Sequence, residues 1–193
     1  TDHCPGYGSA AKFIATTCAE LRQDTQVYQT PTVNIVEIMG RHAGWLAGAS
    51  ALADVTGQGP DLVYLPERNF DMEQFLNDVT RSVKNTGHCL VAVSEGIHYA
   101  DGSYINDVKT AAADGFGHIQ LGGLAAYLAD IVKQRLGYKA RGIELSLLQR
   151  CAAHIASQTD LDESYATGRS AVERAISGSS DCMIGFKRSD CAE

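Results

Sequence analysis

Five short apolar runs rich in β-branched residues are spaced along this chain: TVNIVEI (32–38), DLVYLP (61–66), HCLVAVS (88–94), ARGIELS (140–146) and DCMIGF (181–186). Runs that lack an apolar–polar alternation predict strands covered on both faces. The stretches between them carry the 3.6-residue period of amphipathic helices. Strands alternating with helices of 10 to 15 residues predict βαβ units, a parallel sheet and right-handed connections. The expected fold class is therefore α/β, a three-layer parallel sheet with helices on both faces.

The helices can be placed with a mechanism. GSAAKFIATTCAELRQ offers Ser9 as an N-cap, with Phe13, Ile14 and Leu21 near one face. HAGWLAGASALA is apolar nearly all round and predicts a buried helix. In DMEQFLNDVTRSV, Met72, Phe75, Leu76, Val79 and Val83 follow the helical period, and Asp71 with Gln74 forms a capping-box pattern. GGLAAYLADIVKQRLG should stop at Gly137, and TDLDESYATGRSAVERAISG, with Asp160 and Glu163 at its start, near Gly178. LLQRCAAHIAS is expected to be helical as well. The loop YADGSYINDVKTAAADGFGHIQ is long and polar, which in α/β domains often marks function.

With 193 residues, 45% of them hydrophobic, the chain can bury a real core. Its net charge of -7 argues against nucleic acid as a general partner, though not against a local basic pocket. No apolar run approaches the ~18 residues of a membrane span. The six cysteines show no C-x-x-C spacing, and the histidines no paired ligand set, so no protein-held metal is expected. Reduced thiols and a cytoplasmic setting are the default.

Three places carry candidate chemistry. Met39-Gly40-Arg41 follows the first apolar run: glycine lets a ligand approach the backbone, and arginine offers a planar fork of donors to a phosphate. The next helix is expected to aim its positive N-terminus at the same spot. Glu95 stands at the end of the third run, where a carboxylate can accept sugar hydroxyls. Arg141 and Arg150 flank the fourth run; if it is extended they lie roughly 30 Å apart and cannot grip one small anion together, so either the chain turns or the two serve different sites. Arg150 is expected to open a helix. Taken singly, each of these is equally an ordinary surface residue. Gly115, Gly117, Gly122 and Gly123 lack the dinucleotide-binding spacing.

In order along the chain, VEIMGRHAGWLAGASALA, DLVYLPE, VSEGI, DGFGHIQLGG and RGIELSLLQR resemble the 6-phosphofructokinases, which use ATP or diphosphate as phosphoryl donor. The likeness runs from Thr1 to Phe186. It implies that Met39, Gly40 and Arg41 form the fructose 6-phosphate loop, with Arg41 also stabilising the charge in transfer. It further implies that Glu95 binds the sugar hydroxyls, that Arg150 grips the 6-phosphate, and that Arg141 reaches into a neighbouring subunit's site. Mg²⁺ would arrive with the donor, and the enzyme would be a cytoplasmic homo-oligomer, dimer or tetramer, of glycolysis. Leu147 and Thr32 stand where the ATP-dependent bacterial enzymes carry a histidine and a second cross-subunit arginine. The likeness is thus closer to the diphosphate-type and clostridial-type branches. The family's glycine-rich donor loops, and its Thr-Ile-Asp-Asn-Asp motif with the catalytic base, have no counterpart in this sequence. The expectation is a fragment: residues 1–149 as the sugar-phosphate domain, and 150–193 as a partial return into a donor domain. Such a piece alone should be inactive. The alternative is a non-catalytic module that binds a sugar phosphate.

Overall fold

The structure is a computed structural model and describes residues 1–105 and 123–188. Its centre is a sheet of β1 (Thr32–Ile38), β2 (Leu62–Tyr64), β3 (His88–Ser94) and β4 (Lys139–Glu144), in the order β2-β3-β1-β4. Every pairing is parallel. The helices are α1 (Tyr7–Gln26), α2 (Trp45–Ala49), α3 (Met72–Thr86), α4 (Leu124–Leu136), α5 (Leu148–Cys151) and α6 (Gln158–Ile176).

Side chains of the two central strands alternate between two cores. Val33, Ile35, Val91 and Val93 pack under α3 and α4, against Phe75, Leu76 and Leu128. Val36, Ile38, Leu90 and Ala92 pack under α1 and α2, against Phe13, Ile14 and Ala47. Helices therefore cover both faces, and each fully buried Val, Ile or Phe contributes about 1.5–3 kcal/mol. The expected three-layer architecture is observed. α3 begins as its sequence dictates, with Asp71 accepting the backbone N–H of Gln74 at 2.8 Å. α4 ends at Gly137, which takes the left-handed conformation at φ 71°.

Several expectations are corrected. β4 is an edge strand with four of its six residues exposed, so ARGIELS is not covered on both faces. DCMIGF forms no strand: Met183 is 93% exposed, and the segment is tied to the start of the chain by the hydrogen bond Asp2 N–H to Phe186 O at 2.9 Å, by Phe186 N–H to the Thr1 hydroxyl at 2.8 Å and by stacking of His3 on Phe186. An apolar run becomes a strand only beside another strand, and this one has none among the described residues. LLQRCAAHIAS breaks into α5 and a 3₁₀ turn at Ala153–Ile155. α2 is short, continues as a 3₁₀ turn at Ser50–Thr56, and is not buried all round. Its small residues Ala47, Ala49 and Ala53 face inward and let it sit close to the sheet, while Trp45 (75%) and Val55 (88%) project into solvent. From residue 106 onward the long polar loop lies outside the described residues.

Ser9 is not the N-cap of α1 either. The cap position is Gly6, and Ser9 sits inside the first turn. The open N–H groups of Gly6 and Ser9 donate instead to the carboxylate of Asp160, at 2.8 and 2.7 Å. In return, the Ser157 N–H at the start of α6 donates to the Ser9 hydroxyl at 2.9 Å. Desolvation raises the Asp160 carboxyl, but the hydrogen bonds from Ser9 and Gly6 prevail and hold it below its ordinary value.

Candidate functional site

β1 and β3 run side by side, and their carboxyl ends meet where Ile38 pairs with Ser94. From there β1 leads to α2 on one face of the sheet, and β3 leads on toward α4 on the other. Loops that part in this way open a crevice at the carboxyl edge, the usual ligand site of open α/β sheets.

The two loops interlock through their backbones. Gly40 has φ 143°, and a Cβ there would lie 2.5 Å from the Ala43 carbonyl oxygen. The Ser94 hydroxyl, fully buried, donates to the Gly40 carbonyl. Glu95 donates its backbone N–H to Ile38 O at 2.9 Å, and its Oε1 accepts the Gly40 N–H at 3.3 Å. A Cβ on Gly96 would lie 1.9 Å from the Arg41 carbonyl oxygen, so only glycine fits there. Met39, Gly40, Arg41 and Glu95 are thereby gathered at one edge, with Arg41 and Glu95 half-buried.

The turn after β4 approaches the same loop from the other side. The strand ends at Glu144, the chain turns with Ser146 in the left-handed region at φ 45°, and α5 follows. Gln149 Oε1 then accepts the Met39 N–H at 3.2 Å. Arg150, the next residue, is exposed and lines a cleft of about 230 Å³ with Gly6 and Ser9. Two expectations fall here. Arg141 and Arg150 are not the ends of one extended strand, because the chain turns between them. Nor does Arg150 open a helix: it lies in the last turn of the four-residue α5, where the backbone dipole favours cations rather than anions. The N-terminus of α2 is also occupied, since Gly44 donates its N–H to Glu67 Oε1 at 2.7 Å.

Arg141 is not brought to the crevice within this chain. It pairs with Asn34, four residues before the end of β1. Its guanidinium lies over Tyr28, donates to the Tyr28 hydroxyl at 3.0 Å and stands 3.5 Å from Asp24 Oδ2. Thr32 is fully buried at the start of β1, whereas Leu147 is 55% exposed.

Sequence reasoning missed two polar residues. Glu37 lies on β1 facing α4, 6% exposed, and its Oε2 accepts the Ala125 N–H at 2.9 Å. Burial pushes its carboxyl up to about 7, against the pull of the Ala125 N–H, and Glu144 and Glu95 push the same way. α4 sits so near the sheet that a Cβ on Gly142 would lie 2.5 Å from the Ala125 carbonyl carbon. Gln149, 2% exposed, is the other. The available signal was a carboxylate inside an apolar run and an amide beside Arg150; buried polar groups of this kind need a partner.

Among the described residues no three metal-ligating side chains cluster, and no helix is long and apolar enough to cross a membrane. Cys18 and Cys89 are buried thiols, each pushed up to about 12 by burial.

The chain is thus a parallel α/β domain whose two central loops interlock around a glycine-arginine turn at the carboxyl edge of the sheet. Comparison makes this specific. The phosphofructokinase family model matches residues 1–146, and the chain belongs to that family. It is 47% identical to the pyrophosphate–fructose 6-phosphate 1-phosphotransferase of Halomonas elongata, over 97% of this chain and 45% of that protein. It is 37% identical to the sulfofructose kinase of Alkalicoccus urumqiensis, over 98% of this chain and 48% of that protein. The crystal structure of the pyrophosphate-dependent phosphofructokinase from Marinobacter aquaeolei superposes with a TM-score of 0.70 at 40% identity, covering 92% of this chain and 41% of that one. The chain thus spans a little under half the length of these relatives.

Proposed function

We propose that this chain is the sugar-phosphate side of a 6-phosphofructokinase that uses diphosphate as donor. The terminal phosphoryl group passes to the 1-hydroxyl of fructose 6-phosphate: one P–O bond of diphosphate breaks, one to the sugar oxygen forms, and the hydroxyl proton departs. The products are fructose 1,6-bisphosphate and phosphate. The observation that carries the reading is the interlock of residues 39–41 with 94–96 at the carboxyl edge of the sheet. The diphosphate donor is favoured by relatives of that name at 45–48% identity and by Leu147 in place of a histidine.

In this reading Arg41 holds the transferring group and offsets its charge, since phosphoryl transfer relies on positioning and cationic neutralisation. Glu95 accepts sugar hydroxyls and Arg150 meets the 6-phosphate. Arg141, on an exposed edge strand, completes a neighbour's pocket in a homo-oligomer. Mg²⁺ comes with the phosphates of the donor. Residues 1–149 are the sugar-phosphate domain and 150–193 lead toward the donor side. The setting is cytoplasmic glycolysis.

The test is steady-state turnover of the full-length protein with fructose 6-phosphate and either diphosphate or ATP, with sulfofructose as a second acceptor. Turnover with diphosphate and fructose 6-phosphate supports the reading. Preference for ATP corrects the donor, preference for sulfofructose corrects the acceptor, and sugar-phosphate binding without turnover establishes a non-catalytic module. Arg41→Lys should lower kcat more than it raises KM, because a point charge cannot replace the planar fork.

A further inference from the structure

The amide of Gln149 makes two hydrogen bonds in different directions. Its Oε1 accepts the Met39 N–H at 3.2 Å, and its Nε2 donates to the Ser146 carbonyl at 3.0 Å. Both partners are backbone groups of fixed polarity, one a donor and one an acceptor. The orientation of the amide is therefore set by its two partners. Only a side chain with one acceptor and one donor at the same reach can serve both.

What those partners belong to gives the contact its meaning. Met39 opens the Met39-Gly40-Arg41 loop. Ser146 is the turning residue after β4, a non-glycine held at φ 45°, a conformation that persists where surrounding contacts impose it. The turn is cinched at two further points: Leu145 N–H donates to Glu37 O at 3.2 Å, and Leu148 N–H to Leu145 O at 3.1 Å. Gln149 is 2% exposed and directly precedes Arg150.

We propose that Gln149 is a positioning residue: one buried amide sets the Met39–Arg41 loop and the turn carrying Arg150 against each other, so that the two arms of the phosphate pocket hold a single spacing. The inference rests on the reading of the site given above. Arg150, exposed on a four-residue helix, is placed by this link, and a sugar phosphate gripped from both arms is sensitive to it.

Two measurements on the full-length protein test it. The first is kinetic, with fructose 6-phosphate and diphosphate. Gln149→Leu removes both bonds at similar volume and should raise KM for fructose 6-phosphate about 10-fold, the equivalent of one buried hydrogen bond. KM for diphosphate should stay within about twofold, because uniform loss of structure is not expected to select one substrate. Gln149→Glu keeps an acceptor for Met39 but sets a second oxygen against Ser146 O. Adding Ser146→Gly, which takes the left-handed conformation without strain, should recover part of its loss. Equal effects on both substrates, or no recovery in the double variant, would overturn the proposal.

The second measurement is hydrogen exchange, which needs no turnover. In Gln149→Leu, peptides covering residues 36–44 and 143–152 should both exchange about 10-fold faster while those of β3 keep their protection. If only one of the two segments loosens, or neither does, the coupling is absent. A wild-type protein that fails to turn over either sugar defeats the functional reading, whereas exchange still decides the coupling. Should Gln149→Leu fail to fold, the Gln149→Glu pair carries both measurements.

Discussion

α3 and α6 are two amphipathic helices of this chain with opposite fates. α3 buries Phe75, Leu76, Val79 and Val83 against the sheet. α6 is longer, 19 residues against 15, and buries none. Its apolar side chains line one side yet stay open: Leu161 is 52% exposed, Tyr165 72%, Val172 59% and Ile176 82%. α3 carries the stronger apolar stripe of the two, yet α6 also gathers its apolar residues on one side. The difference is position. α3 joins two neighbouring strands and lies across them, whereas α6 comes after an edge strand and is tied to the start of the chain through Asp160 and Glu163 in its first two turns. A helical period thus reports which face is apolar, and topology decides whether anything covers it.

This contrast can be broken at four points in the intact protein. The largest effect is expected where the sheet's own loops interlock. Gly96→Ala forces a Cβ into the backbone of Arg41, so stability should fall by about 3 kcal/mol or more, and kcat/KM with fructose 6-phosphate by roughly 10²-fold or more. Thermal melts and kinetics read both; a melt and rate like wild type would show that the loops yield easily.

Second comes Glu37, whose carboxyl is raised from 4.5 to about 7. The folded state holds its proton more tightly than the unfolded state. The stability it supports is therefore full below about pH 4.5 and is lost as pH rises to about 7. Glu37→Gln keeps an acceptor for Ala125 and cannot ionise. It should match wild type near pH 4.5 and exceed it above pH 7 by an amount on the order of 3 kcal/mol. Denaturant titrations at both pH values check this, and parallel curves would refute it.

Third is the junction between α1 and α6. Asp160→Ala should cost about 1–2 kcal/mol, the usual loss of a cap, and protection should drop at the start of α1 rather than across the sheet. Smallest is the tail itself. Val172→Ser with Ile176→Ser should change stability by no more than about 0.5 kcal/mol, as exposed positions do. A fall of several kcal/mol would mean that this face is covered in the intact protein and that α6 resembles α3 after all.

How much was legible in the sequence follows the same division. The strands at 32–38 and 88–94 could be read because burial on both faces leaves apolar residues at nearly every position. The run at 181–186 looked the same but pairs with no strand among the described residues, because strand formation depends on a neighbour elsewhere in the chain. The capping box at Asp71 was readable because its donor lies three residues away. The cap of α1 was not, since Asp160 is 154 residues from Gly6. At the site, Met39, Gly40, Arg41 and Glu95 stood out as glycine and charge at strand ends, and the sheet brings them together. Gln149 and Glu37 did not, because their roles are fixed by backbone groups that only the folded chain places beside them.

The clasp between α1 and α6 also bears on the order of events as the chain is made. α1 leaves the ribosome before α6 and can form most of its turns from local bonds. Its opening turn cannot close until Asp160, 154 residues later, has emerged and α6 has begun to coil. Until then Gly6 and Ser9 present unanswered N–H groups, and that turn frays. In the finished protein the dependence runs both ways: when the first turn of α6 opens, the amides of α1 open with it, and the earliest and latest helices of the described chain breathe as one cooperative unit.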